Sequence, residues 1–186
     1  MTDKKDHFNS NSEVYFCYGR NSNRDLLLRY GFAIEGNKYD HVWLSYDLSS
    51  SFKQMPDLFE RSRKLGLSMR RKFKINHMRF NIDIIIYHRL LRWNLYSLKN
   101  LNEVFFVTDV NQEIRILDEV KDSFEQKLKF VEGNEDLTDK SLNYHRYFIA
   151  VFHVEQTRII KKQITLIEKL KKCLRKLELG QERGKV

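Results

Sequence analysis

Apolar side chains recur every three or four positions through most of the C-terminal two thirds of the chain, the spacing that gathers them on one side of an α-helix. Ile82, Ile85, Ile86, Leu90, Trp93 and Leu98 form one such stripe, apolar enough to lie centrally. Ile114, Leu117, Val120, Phe124 and Leu128 form a second, with Glu113, Asp118, Glu119, Asp122 and Glu125 expected on its outer side. A third stripe runs through Tyr144, Phe148, Val151, Phe152, Ile160, Ile164, Ile167, Leu170, Leu174 and Leu177. It predicts a helix of roughly 50 Å. Such a helix spans a domain, or pairs with a second chain as a coiled coil; the pattern leaves both open. A loop is expected from Glu132 to Asp136.

The N-terminal quarter has a different texture. Val14, Tyr15 and Phe16 belong to a β-prone run over residues 13 to 17 that stops at Gly19. Ser22 or Asn21 can cap a short helix with Asp25 in its first turn, Leu26, Leu27 and Tyr30 on its buried side and Gly31 at its end. Phe32 to Ile34 and Val42 to Leu44 read as two further strands around a turn at Glu35, Gly36 and Asn37. Ser45, Ser49, Ser50, Ser51 and then Pro56 mark a linker, which places a boundary near residues 47 to 52 with helices after it. The expected fold is mainly α: a short β/α segment, then an all-helical domain ending in a long C-terminal helix.

Composition adds little to this but narrows the setting. One proline and seven glycines in 186 residues leave long helices almost uninterrupted. Cys17 and Cys173 are far apart and form no C-x-x-C pair, so neither a zinc knuckle nor a disulfide framework is indicated. No run of eighteen apolar residues occurs, and residues 1 to 12 read as a polar, disordered leader without an apolar core. A soluble, unexported chain of a reducing compartment, cytoplasmic or nuclear, is expected, with no membrane partner. The net charge of +9 is concentrated in residues 61–79, at +8, and 158–176, at +7, which leaves the remainder at −6. Each block reads as a solvated helix face or as a docking face for an acidic partner. His145 and His153 share a helix face but have no acidic third ligand at a useful spacing, so no metal site is expected. Motifs for dinucleotides, triphosphates and serine hydrolysis are absent from the sequence.

The stretch EVYFCYGRNSNRDLLLRYGF, residues 13–32, carries the most specific signal. Glu13, Tyr18, Gly19, Ser22, Asn23, Leu26, Leu27, Tyr30, Gly31 and Phe32, followed by Gly36, Asn37 and Asp40, resemble the C-terminal end of a SET domain. The resemblance is to the branch typified by the Rubisco large-subunit lysine methyltransferase, in which a helical substrate-binding domain follows. The last helix, with Val154 to Ile160, looks like the basic long helix that closes that domain.

The resemblance implies a partial SET-domain protein-lysine N-methyltransferase: residues 13–47 as the end of the SET domain and 48–186 as the helical domain that docks a protein substrate. Its cofactor would be S-adenosylmethionine. Tyr18 would be the catalytic tyrosine beside the methyl acceptor, Tyr30 would line the lysine channel, and Phe32 would pack on the adenine. Ser22 and Asn23 are read as capping and turn residues. The branch also needs a glycine-containing cofactor loop and an Asn-His motif upstream; neither precedes Glu13, and Asn76-His77 lies on the wrong side of Tyr18. Neither cofactor affinity nor turnover is therefore expected of this chain alone, which reads as a fragment, a misplaced gene start or a degenerate paralogue. Two other functions remain open: a non-catalytic helical interaction module, and a nucleic-acid binder using the basic blocks.

Overall fold

The Ser22 hydroxyl accepts a hydrogen bond from the Asp25 amide and opens the first helix, α1 (Asn23–Tyr30); Gly31 closes it at φ 77°, its N–H on the Leu27 carbonyl. Glycine suits that left-handed position because it carries no Cβ. A computed structural model describes residues 16–47, 60, 63–64, 66, 68, 70–92, 101–132 and 143–183. The leader, the first half of the strand expected at 13–17, most of the serine-rich linker, Trp93, Leu98 and the loop expected after Glu132 lie outside the described residues. Beyond α1 come β1 (Val42–Asp47), β2 (Arg70–Ile75), α2 (Asp83–Leu91), a 3-10 turn (Leu101–Phe105), α3 (Val110–Val131) and α4 (Tyr144–Arg183). The fold is mainly α and ends in the long helix, as the stripes require.

β1 and β2 form an antiparallel ribbon with Val42 opposite Ile75 and Leu44 opposite Phe73. Alternation buries these four and turns Trp43, Ser45, Lys72 and Lys74 outward. β2 corrects the helical reading of the first basic block. Its charges at Lys72 and Lys74 flank a buried Phe73, a period of two rather than of a helix, and β1 supplies the missing hydrogen-bond ladder. The strand expected over Phe32 to Ile34 is absent. Phe16 and Cys17, the described end of the strand expected at 13–17, are exposed and belong to no strand among the described residues. Ile34 instead receives both of its backbone bonds from one side chain: its N–H donates to Asn23 Oδ1 at 3.0 Å, and its carbonyl accepts from Asn23 Nδ2 at 2.9 Å.

The ribbon lies across the boundary expected at 47 to 52, and its inner face belongs to the same core as the helices. Tyr87 and Leu90 of α2, Leu117, Val120 and Phe124 of α3, and Ile159, Ile160 and Ile167 of α4 complete that core. On α3 Ile116 is buried where the stripe pointed to Ile114, which is only half-buried. The helix is rotated enough to bury Glu113 too, one of the acids expected outside. Arg89 explains this: its Nε and Nη2 donate to the two Glu113 oxygens at 2.9 and 2.6 Å, and its Nη1 donates to the Val104 carbonyl at 2.9 Å. One guanidinium thereby ties α2, the 3-10 turn and α3 together.

α4 has 40 residues, a length of about 60 Å. α3 and the ribbon cover much of its stripe, while Tyr144 and Leu177 stay exposed. The basic blocks are less free than their composition implies. Arg70 pairs with Asp47, Arg71 with Asp83, Arg158 with Glu155, Lys161 with Glu132, and the buried Lys171 with Asp118 and Glu168.

Burial gives the fold a pH dependence. Desolvation is the first cause lowering the pKa of His41, His88 and His153 below the ordinary 6.5, with Glu119 acting in the opposite direction on His88. A base with a lowered folded-state pKa takes up protons less readily than in the unfolded chain, so stability is complete above about pH 6.5 and declines as pH falls through the folded-state values. Thermal melts should show Tm falling between about pH 7 and pH 5. A flat Tm across that window would mean that these rings are not desolvated.

Candidate functional site

The site begins with a buried polar frame. Asn23, with no exposed surface, donates its backbone N–H to Asp40 Oδ1 at 3.0 Å, and its own Oδ1 accepts from Asn37 Nδ2 at 3.0 Å. Asn37 Nδ2 also reaches the Asn21 carbonyl at 3.0 Å, and Asn37 Oδ1 accepts from the Tyr39 N–H at 3.0 Å. Asp40 takes a further bond from the His41 amide, but its Oδ2 is buried with no partner among the described residues. Burial therefore holds its carboxyl above the usual carboxylate range. From the other side, α4 holds the loop between α1 and β1. Glu155 Oε1 accepts from the Gly36 N–H at 2.9 Å, Gln156 Nε2 donates to the His41 carbonyl at 3.1 Å, and the Tyr147 hydroxyl donates to the Glu35 carboxylate.

On this frame three rings meet. Tyr18 lies 4.7 Å from Tyr30 and 5.1 Å from Phe32 between ring centroids, and Tyr30 lies 6.2 Å from Phe32. Each position has a local cause. Gly19, at φ 78°, turns the chain away directly after Tyr18, whose carbonyl accepts from the Asn21 side-chain amide. Tyr30 is the last residue of α1, and Phe32 follows the left-handed Gly31. Tyr18 and Tyr30 remain 47% and 48% exposed, so the wall has one open side. Phe148 of α4 backs Phe32 at 6.2 Å, and Tyr144 meets Phe148 at 4.5 Å. The sequence reading assigned those two only to a buried stripe.

No family model matches the chain, and no curated protein matches it. Solved structures do. A structure of Rubisco LSMT bound to AdoMet matches with a TM-score of 0.66 at 16% identity, covering 82% of this chain and 39% of that one. One bound to sinefungin and monomethyllysine matches at 0.69 and 20%, covering 88% and 42%. The SET domain of LSMT bound to MeLysine and AdoHcy matches at 0.69 and 22%, covering 91% and 43%. The chain has the fold of part of Rubisco LSMT. It spans about two fifths of the length of those LSMT chains.

Within this LSMT-like fold the positions that carried the sequence resemblance separate into two kinds. Ser22 and Asn23 act as cap and pin, and Asn37 and Asp40 join them in the buried frame. Tyr18, Tyr30 and Phe32 stand on the frame with ring surface to offer. Chemically, such a wall favours an aliphatic stem, a flat heterocycle or a cation at the ring faces, with two phenols as hydrogen-bonding groups. Among the described residues no three His, Cys, Asp or Glu side chains gather as metal ligands, and no helix is long and apolar enough to cross a membrane.

Proposed function

We propose that this chain forms one wall of a SET-type methyl-transfer site, together with the helical domain that docks a protein substrate for lysine N-methylation. The observation that carries the reading is the meeting of Tyr18, Tyr30 and Phe32 on one open aromatic wall, in a fold shared with structures solved with AdoMet and with monomethyllysine. Residues 13–47 are read as the SET portion and 48–186 as the docking domain, with the β ribbon joining them.

S-adenosylmethionine fits this wall in part. The partly buried Phe32, backed by Phe148, presents a surface suited to an adenine face, and the donor set of the wall is aromatic with two phenols. Bound there, the cofactor would supply an electrophilic methyl group. The protein's own part is to bring a lysine in neutral form, against its ordinary pKa near 10.4, and to aim its lone pair. The Tyr18 hydroxyl would hydrogen-bond that nitrogen and orient it. Tyr30 would pack along the aliphatic stem and favour the methylated ammonium through its ring face. One wall does not exclude water, so the chain alone is read as inactive.

The test is a thermal melt with S-adenosylmethionine, alongside an assay of methyl transfer to lysine. The chain alone should show no turnover and no appreciable rise in Tm. A rise of several degrees that disappears in Phe32→Ala would instead mean that this chain holds the cofactor by itself, because a ligand stabilises only the state that binds it. In a protein bearing both walls, Tyr18→Phe should lower kcat about 100-fold or more with little change in cofactor binding. An unchanged kcat would remove Tyr18 from the chemistry. The second reading, a non-catalytic interaction module, is favoured by the open groove described below. Nucleic-acid binding is weakened as an alternative, since Arg70 and Arg71 of the first basic block and Arg158, Lys161 and Lys171 of the second are already paired with acids.

A further inference from the structure

Away from the aromatic wall, the outward side of the β ribbon forms the floor of a groove of about 550 Å³. Arg24 of α1, Lys72 of β2 and Lys127 of α3 supply its charge, and Trp43, Phe130 and Phe152 supply its apolar surface. The floor follows from strand alternation. Leu44 and Phe73 go into the core, so their neighbours Trp43, Ser45, Lys72 and Lys74 must face out, Trp43 opposite Lys74 and Ser45 opposite Lys72.

Two observations point to a ligand. No acidic side chain among the described residues lines the groove, and none of Arg24, Lys72 and Lys127 has an acidic partner among them, whereas Arg70, Arg71, Arg158 and Lys161 do. Large aromatics are left open beside those cations: Phe130 is 79% and Trp43 39% exposed, and Lys127 Nζ stands 5.5 Å from the Phe130 centroid. The α4 side is anchored to the floor, since Gln156 holds the His41 carbonyl and the His41 ring meets Trp43 at 5.2 Å.

We propose that this groove docks an acidic, extended protein segment carrying at least one large apolar side chain. Its carboxylates would meet Lys72, Lys127 and Arg24, and its apolar residue would pack between Trp43 and Phe130. Charge complementarity selects the partner, while the aromatics supply the surface that typically dominates binding energy. A nucleic acid is the poorer occupant. Its affinity comes from many phosphate contacts, commonly about 6–10, and among the described residues the groove offers three cations without an acidic partner. The proposal rests on the docking half of the reading above and is independent of methyl transfer.

The experiment is a titration of the full chain into a fluorescently labelled peptide of about ten residues alternating Glu or Asp with Leu and Phe, read by anisotropy, with Trp fluorescence as a second signal. Expected is saturable binding, weakened about tenfold or more by Lys72→Glu with Lys127→Glu and also by Trp43→Ala, since removing opposed charges or a central aromatic is what such an interface feels most. Lys162→Glu, an exposed lysine of α4 outside the groove, should leave it unchanged, and circular dichroism melts should show all variants folded. Absence of binding, equal weakening by Lys162→Glu, or insensitivity to Trp43→Ala each overturns the proposal. So does tighter binding of an oligonucleotide that the Lys72 and Lys127 substitutions abolish. Because S-adenosylmethionine is not in the assay, loss of the groove leaves the methyl-transfer reading standing, and a failed cofactor test leaves the groove standing.

Discussion

Replacing Asn23 with alanine should destabilise the fold by about 3–4 kcal/mol, the largest loss expected from any single change near the aromatic wall. The truncation removes no apolar packing of consequence, so the whole effect is polar. Asn23 Oδ1 accepts from the Ile34 N–H and from Asn37 Nδ2, and Asn23 Nδ2 donates to the Ile34 carbonyl. Alanine leaves the Ile34 N–H and carbonyl without that partner, and Asn37 Nδ2 with only its bond to the Asn21 carbonyl, in a site where Asn23 has no exposure and Asn37 only 6%. Each unsatisfied group costs about 1–3 kcal/mol, reduced to the extent that water enters. Asn23→Asp should cost at least as much, since its second carboxylate oxygen would face the Ile34 carbonyl, acceptor against acceptor, and its charge would be buried beside Asp40. Urea unfolding measures the difference through its midpoint, with an unchanged m-value confirming that compactness is unaltered. A loss under about 1 kcal/mol for Asn23→Ala would mean that the frame is not closed to water. The same substitution should loosen the contact of Phe32 with Tyr18 and Tyr30, because Phe32 lies in the segment that the Asn23 side chain fastens at Ile34.

The second large effect belongs to the helical half. Glu113→Gln leaves the Arg89 guanidinium buried without its counter-charge, at side-chain exposures of 8% for Arg89 and 7% for Glu113, and should cost about 3–5 kcal/mol. The pair itself is worth far less than that. Its Coulombic attraction is set against the desolvation of two ions, so the double substitution Arg89→Met with Glu113→Leu should recover most of the loss. Recovery will stop short of complete because the Val104 carbonyl also loses a donor. A thermodynamic cycle over the four proteins, by thermal or urea unfolding, checks this. Additive losses in the double variant would show no coupling between the two side chains and would overturn the account of an orphaned charge.

Local chemistry carries much of what is seen around the first helix. Ser22 before Asp25, and Gly31 after Tyr30, announce a cap and a stop whatever surrounds them, because the hydroxyl acceptor and the missing Cβ act within a few residues. The stripes of α3 and α4 are equally local, since a period near 3.6 needs only the helix itself. The short β2 was illegible for the complementary reason. Arg70–Ile75 has only two apolar positions, and its ladder comes from β1, at the far side of a long connection. Ile34 failed as a strand because a side chain eleven residues earlier took both of its backbone groups, a substitution that no alternation pattern reports. Glu113 looked exterior because it is charged; Arg89, 24 residues earlier on another helix, makes its burial possible.

The candidate site divides along the same line. The spacing of Tyr18, Gly19, Tyr30, Gly31 and Phe32 is written in the sequence, and the two glycine turns follow from it directly. That the three rings share one wall, backed by Phe148 from more than a hundred residues later, depends on α4 seating against the loop through Glu155 and Gln156. The groove is legible still less, for its cations and aromatics come from five separate elements, and the sequence pattern places Lys72 only in a basic block and gives Phe130 no role. Caps, periods and turn glycines are settled by forces acting over one or two turns of chain. Which faces meet, which charges find partners and which stay open are settled by packing among distant segments, where burial and desolvation act on the assembled surface and not on the order of residues.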